Sequence, residues 1–283
     1  MKIVAVDPFY LKMPDITTDA DGTQDTLAVR VRTDEGIEGW GECDASPLVS
    51  LATYCCPMSH GNIINIRQSL IGEVLGGSDD ILRLHKKVLR SALDIQQIDH
   101  AYSGTDIALW DIVGQKLKRP VYQLLEDQFR FLSDGIGYPK IPYASVLFGD
   151  TPETTFQIAT RLKIQGFKAA KFGWGPMGKF DEQYDIELVE SAREGMGKSA
   201  QIMIDAGVVW GSDYKTVYDR AKAFSQFSPT WLEEPLAPEA IEAYGTLSAL
   251  NPPVPIAAGE GSATFRMAED LILHGRIDYV QID

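Results

Sequence analysis

The sequence contains few cysteines and few histidines. Its 283 residues include four histidines and three cysteines, namely Cys43, Cys55 and Cys56. An odd number of cysteines, two of them adjacent, argues against a disulfide framework. No cluster of Cys or His lies near the adjacent pair to complete a metal site. We therefore expect reduced thiols in a cytosolic protein.

Basic residues and long apolar runs are also scarce. Lys and Arg total 26 against 40 Asp and Glu, which gives a formal net charge of −14. Because no block of Lys and Arg accumulates, we expect no nucleic-acid partner. No apolar run approaches the roughly 20 residues of a membrane helix, and Asp7 interrupts any signal-peptide pattern at the N-terminus. The composition predicts a soluble, cytoplasmic protein with a well-solvated acidic surface.

The first half of the chain places strands before helices. Leu27, Val29 and Val31 alternate with polar or small residues, as expected for a half-buried antiparallel strand. The patterns predict three strands within residues 1–43, polar loops at 15–25 and 44–62, and helices at 63–75, 81–93 and 102–117. This order is typical of an α+β domain, here residues 1–135.

The second half, residues 136–283, repeats a strand and then a helix. Six apolar segments read as parallel strands, and they are YASVLFG, KAAKF, QIMID, TWLEE, PIAAGE and YVQID. Helical crossovers between parallel strands produce either a barrel or an open doubly wound sheet.

A charged residue stands at the carboxyl end of each strand from the second to the sixth. These residues are Lys171, Asp205, Glu233, Glu260 and Asp283. An open sheet concentrates its site at one switch point, whereas a barrel builds its site from the ends of many strands. The pattern therefore favours a barrel, and since such a barrel has eight strands, we expect these 283 residues to be a fragment.

Asp205, Glu233 and Glu260 are hard oxygen donors on successive strands, the ligand type that Mg²⁺ prefers. Three monodentate carboxylates would leave open positions for a substrate. Glu234 is the alternative to Glu233, because neighbouring residues on a strand point to opposite faces and the register alone does not decide between them. Lys171 could serve the chemistry or simply form an ion pair with these acids.

The chain resembles the enolase superfamily and, within it, the mandelate racemase subgroup of the mandelate racemase/muconate lactonizing enzymes. The segments that carry the resemblance are GTDIALWDIVGQKLKRPVYQLL in the first half and KAAKFG, IDAGVVW, WLEEP and AAGE in the second. It implies an α/β fold with an N-terminal capping domain, whose two polar loops set specificity, and a C-terminal (β/α)7β TIM-type barrel that stops here after its sixth strand. It also implies homo-oligomers.

The same resemblance implies abstraction of the proton α to a carboxylate, with Mg²⁺ stabilising the enediolate. Asp205, Glu233 and Glu260 correspond to the metal ligands, and Lys171 to a lysine that contacts the substrate carboxylate. Asp283 corresponds to an acid that orients a histidine base on the following strand. His60, His85, His100 and His274 do not match that position.

Two residues depart from the family pattern. Gly173 stands where a second lysine is common, and Gly207 replaces an asparagine. A racemase needs a base on each face of the α-carbon, so the missing lysine favours a one-sided reaction, the dehydration of an acid sugar to a 2-keto-3-deoxy acid. The alternatives are a racemase, epimerase or cycloisomerase of the same superfamily, an inactive or binding-only fragment, and a barrel glycosidase.

Overall fold

A computed structural model describes residues 1–17, 23–43, 46–58, 63–92, 98–129 and 140–282. The chain divides into two compact units, Met1–Tyr138 and Pro139–Asp283. The boundary expected between residues 135 and 136 falls outside the described residues and stays a prediction.

The first unit packs helices on one antiparallel sheet. Its strands are β1 (Ile3–Lys12), β2 (Asp25–Thr33) and β3 (Glu38–Cys43), in that spatial order. Leu27, Val29 and Val31 are fully buried, as their alternation predicts. The helices are α1 (Pro47–Cys55), α2 (Ile66–Leu70), α3 (Ser78–Ser91), α4 (Ile98–Leu117) and α5 (Val121–Gln128).

Two predictions for this unit are wrong. The expected loop at 44–62 contains helix α1, which is held in the core by Tyr54, whose hydroxyl donates to the Ala101 carbonyl oxygen at 2.7 Å. The expected helix at 63–75 is reduced to α2, because Gly72 turns the chain at φ +90°. The backbone beyond it then bonds the start of β1, where the Ile3 amide donates to the Glu73 carbonyl oxygen at 2.9 Å.

The second unit is a six-stranded parallel sheet whose spatial order follows the chain. Its strands are β4 (Ala144–Leu147), β5 (Ala169–Gly173), β6 (Gln201–Asp205), β7 (Leu232–Glu233), β8 (Ile256–Ala258) and β9 (Tyr279–Val280). The helices between them are α6 (Pro152–Ile164), α7 (Glu182–Met196), α8 (Tyr214–Phe224), α9 (Ile241–Ala249) and α10 (Phe265–Asp270). All six predicted strands are present.

The strand order argues against the open doubly wound sheet, one of the two folds that the sequence left open. A doubly wound sheet reverses its order at a switch point, and β4 to β9 show no reversal. The observed α/β unit is consistent with part of a barrel, with its helices packed on a core of buried apolar residues such as Phe172, Ile204 and Leu232.

Cys43, Cys55 and Cys56 all lie within the described residues, and none of them forms a disulfide. Among the described residues, no helix combines the length and the apolar character needed to span a membrane.

Candidate functional site

A row of three residues crosses the carboxyl ends of β5, β6 and β7. Gly173 pairs with Asp205 in the parallel register, and Asp205 pairs with Glu233. Paired residues on neighbouring parallel strands point to the same face of a sheet. The register therefore places the carboxylates of Asp205 and Glu233 side by side.

Lys171 lies two residues before Gly173 and so shares its face of β5. Its ammonium is 3.2 Å from Asp205 Oδ2 and donates a hydrogen bond to Glu233 Oε1. Burial opposes the ammonium charge, but the hydrogen bond and charge of Glu233, together with the charge of Asp205, outweigh it and raise the pKa of Lys171 above its usual range. Lys171 is therefore a cation in this arrangement and not a proton acceptor.

The Asp205 carboxylate is held in one orientation, and its pKa is shifted from the ordinary value. Its Oδ1 accepts a hydrogen bond from the Gly207 amide at 3.0 Å. Burial and the negative charge of Glu233 raise the pKa of Asp205, and the contact with Lys171 offsets this only in part. Two nearly buried carboxylates thus share one ammonium, which leaves an excess of negative charge that a further cation would relieve.

The donor set fits a hard divalent cation. Carboxylate oxygens are the ligands that Mg²⁺ takes, and Asp205 and Glu233 would hold it from adjacent strands. Glu260 is not gathered with them. It lies two residues past the end of β8, is exposed, and follows Gly259 at φ +128°. Within the described parts of the chain, no three His, Cys, Asp or Glu side chains are grouped to hold a metal, so the third ligand stays a prediction.

The structure distinguishes Glu233 from Glu234, the two candidates for one carboxylate of the site. Glu233 is fully buried and contacts Lys171. Glu234 has φ +38°, and its Oε1 accepts from the Gly261 amide at 3.4 Å, on the loop after β8. Glu233 is therefore the acid that shares a site with Asp205.

The two departures from the family pattern have structural counterparts. A Cβ at position 173 would lie 2.9 Å from Asp205 Cβ, so a side chain there would displace Asp205. A Cβ at position 207 would lie 2.9 Å from the indole ring of Trp174, and Gly207 has φ +56°. Trp174 follows β5 directly, also in the left-handed region, and is half-exposed. Gly207 thus makes room for an aromatic side chain at this end of the sheet.

Sequence reasoning missed a second aromatic residue. The indole Nε1 of Trp231 donates a hydrogen bond to Glu233 Oε2 at 2.8 Å. The signal was the spacing Trp-Leu-Glu, since residues i and i+2 of a strand share a face.

The remaining predicted residues lie elsewhere. Asp283 and His60 are outside the described residues. His85 stacks on Tyr102 with 5.1 Å between ring centroids, and His274 is exposed on the helical segment after α10.

Comparison with known proteins assigns both units to one family. Residues 3–126 match the mandelate racemase/muconate lactonizing enzyme N-terminal domain, and residues 155–283 match the enolase C-terminal domain-like family. A crystal structure described as a predicted mandelate racemase from Rhodobacter sphaeroides superposes with a TM-score of 0.91. The two sequences are 41% identical, and the match covers 100% of this chain and 70% of the chain in that crystal structure.

Two curated relatives are enzymes with different reactions. An N-succinyl-L-Arg/Lys racemase from Bacillus cereus is 24% identical over 100% of this chain and 72% of its own length. An L-talarate/galactarate dehydratase from Salmonella typhimurium is 28% identical over 91% of this chain, which spans 60% of the dehydratase. The chain belongs to the mandelate racemase/muconate lactonizing enzyme family of the enolase superfamily.

Proposed function

We propose that this protein uses Mg²⁺ to remove the proton α to a carboxylate and dehydrates an acid sugar to a 2-keto-3-deoxy acid. The observation that carries the proposal is the cluster of Lys171, Asp205 and Glu233 on three adjacent strands, with both acids at the carboxyl ends of their strands. In parallel α/β folds, ligands bind at this edge of the sheet.

Asp205, Glu233 and Glu260 are the proposed holders of Mg²⁺, the cation that the resemblance of the sequence to the enolase superfamily implies. Bound Mg²⁺ would stabilise negative charge on the substrate carboxylate as the proton leaves. The ammonium of Lys171, now paired with the two acids, would turn to the same carboxylate and neutralise it. Asp283 would orient a histidine base on the following strand.

The proposal favours a dehydratase because only one face of the substrate is provided with a base. Gly173 has no side chain to accept a proton, and the packing of Asp205 leaves no room for one. A reaction that removes the α-proton and expels a β-hydroxyl needs no second base on the opposite face. The similarity to an L-talarate/galactarate dehydratase supports the same assignment.

The test is an assay of the purified protein with Mg²⁺ against a panel of aldonates and aldarates, with the 2-keto product detected as its semicarbazone. We expect a keto product that disappears with EDTA and returns when Mg²⁺ is restored. Absence of a keto product across the panel would overturn the dehydratase assignment.

A racemase is the second candidate, supported by the similarity to an N-succinyl-L-Arg/Lys racemase along the whole chain. An isomerase would exchange the α-proton with deuterium in D₂O and form a stereoisomer or a cyclised product without a keto acid. Activity unaffected by EDTA would instead favour a glycosidase. Failure to bind Mg²⁺ in calorimetry would favour the inactive alternative.

We also propose that the protein assembles into homo-oligomers. Light scattering coupled to size exclusion measures the molar mass directly, and 31.2 kDa for the eluting 283-residue chain would contradict the proposal.

A further inference from the structure

Both oxygens of the Glu233 carboxylate have a defined hydrogen-bond donor. The ammonium of Lys171 contacts Oε1, and the indole N–H of Trp231 donates to Oε2 at 2.8 Å. Glu233 is fully buried, so neither donor competes with bulk water. The two contacts differ in kind, because an ammonium on a flexible stem can move away whereas an indole donates only along one fixed direction.

The indole ring of Trp231 is held from two sides. Tyr143 packs edge-on against it with 6.2 Å between ring centroids, and Tyr279 packs at 5.3 Å. Aromatic pairs at such centroid separations are favourable beyond the area they bury, so both tyrosines stabilise this orientation of the indole. Trp231 is therefore a rigid donor aimed at one oxygen of Glu233.

We propose that Trp231 is a positioning residue that keeps Glu233 a one-oxygen ligand of the divalent cation. The inference rests on the proposed function, since it concerns the same metal site. With Oε2 bound to the indole N–H, only Oε1 is available when Lys171 turns away. Mg²⁺ takes about six ligands, and a carboxylate that used both oxygens would occupy two of these positions. The indole contact thus preserves an open position for substrate.

A purely structural role for Trp231 predicts something different. In that case the ring volume matters and the N–H does not. Trp231→Phe removes the donor while retaining an aromatic ring, and 3-benzothienylalanine at position 231 replaces the N–H by sulfur with the shape nearly unchanged. The second variant keeps the test informative if the first one folds poorly.

Trp110→Phe is the matched control. The Trp110 indole also interacts with a partly buried carboxylate, that of Asp106 in the first unit, where it opposes the burial that raises the pKa of Asp106. The control therefore removes the same kind of contact away from the site and is expected to leave Mg²⁺ binding unchanged.

The experiment measures Mg²⁺ binding by calorimetry and counts the waters on bound Mn²⁺ by electron–nuclear double resonance in ¹⁷O-water. We expect both position-231 variants to bind Mg²⁺ about 10- to 100-fold more weakly, the usual cost of losing a hydrogen-bond partner of a metal ligand. We also expect one water fewer on Mn²⁺, since Glu233 is then free to bind through both oxygens.

The outcomes separate the two proposals. If the unaltered protein binds Mg²⁺ and both variants match its affinity and water count, the role of Trp231 is refuted while the metal site stands. If the unaltered protein binds no Mg²⁺, both proposals fail together.

Discussion

Gly173 lies directly opposite Asp205 in the parallel pair β5–β6, and a Cβ atom at position 173 would lie 2.9 Å from Asp205 Cβ. The contact involves the base of the Asp205 side chain, which cannot rotate away. A side chain at position 173 must therefore shift Asp205 or its strand.

The first prediction concerns this contact. Gly173→Ala should lower the free energy of unfolding by about 1–3 kcal/mol, the usual cost of overpacking, and weaken Mg²⁺ binding because Asp205 moves. Chemical denaturation and calorimetry measure the two effects. Gly77→Ala is the control, since nothing lies within 4 Å of the added Cβ there.

The same substitution series tests the argument for a one-sided reaction. Gly173→Lys restores the lysine of the family pattern, yet we expect it to disturb Asp205 more than alanine does and to add no racemase activity. A Gly173→Lys variant that bound Mg²⁺ normally and racemised an acid sugar would contradict this expectation.

A second prediction concerns the ammonium between the two acids. Lys171→Met leaves Asp205 and Glu233 buried with no cation between them, and removing one member of a buried ion pair costs about 3–5 kcal/mol. We expect that loss in urea unfolding with EDTA present, and a large recovery when Mg²⁺ is added. Lys168→Met, at an exposed position just before β5, should change the unfolding free energy little. A Lys171→Met variant as stable as the Lys168→Met control would show that the two acids do not repel each other.

The sequence predicted the sheet of the second unit well because its strands are short buried runs that end in charged residues. Asp205 and Glu233 followed from that pattern, since a parallel register aligns strand ends. It could not place Glu260, because the carboxylate stands beyond the strand, where Gly259 at φ +128° sets the direction of the chain. The Trp-Leu-Glu spacing places Trp231 and Glu233 on one face of the strand, but the hydrogen bond between them also depends on the indole rotamer, which the sequence does not give.

In the first unit, local patterns failed where distant contacts decide the structure. Helix α1 includes the buried polar residues Ser50 and Thr53, so its apolar face is weakly marked in the sequence. Its position depends on Tyr54, whose hydroxyl reaches the Ala101 carbonyl oxygen on α4. The segment after α2 keeps a helical pattern, but its backbone bonds the start of β1 instead.

A third prediction uses Glu73, whose carboxylate contacts α3 and whose backbone carbonyl oxygen bonds the start of β1. Lys87 Nζ lies 2.6 Å from Glu73 Oε1 and Arg83 Nη1 lies 2.7 Å from Oε2. These hydrogen bonds lower the pKa of Glu73 below its ordinary value, and the bond from Lys87 has the larger effect. A lowered pKa in the folded state stabilises the fold above the ordinary pKa of a glutamate, and this contribution disappears as the pH falls through the lowered value.

Glu73→Gln should therefore be less stable than the unaltered protein near pH 7, and the difference should shrink towards zero in strong acid. Urea unfolding between pH 2 and pH 7 measures it. Adding Lys87→Met to both proteins completes a double-mutant cycle, which isolates the contribution of the Glu73–Lys87 pair to the free energy of unfolding. A stability difference that stayed constant over the whole pH range would rule out the carboxylate charge as its cause.

The last prediction concerns the loop that follows β5 and begins with Trp174. Asp185 on α7 is fully buried, and its Oδ1 accepts from the Gly178 amide of this loop at 2.7 Å. Its Oδ2 accepts from Arg220 Nε of α8 at 2.8 Å. One carboxylate therefore links the loop to two helices, and Arg220 is the cation that compensates for its burial.

Arg220→Met should lower the free energy of unfolding by about 3–5 kcal/mol, because it leaves the Asp185 charge buried without its partner. The Gly178 amide should also exchange its hydrogen faster, since the carboxylate that holds it is no longer fixed. Arg266→Met is the matched control. It breaks two ion pairs on an exposed helix surface, and such pairs contribute only about 0–1 kcal/mol. Equal losses in the two variants would mean that burial of Asp185 does not set the strength of its pair with Arg220.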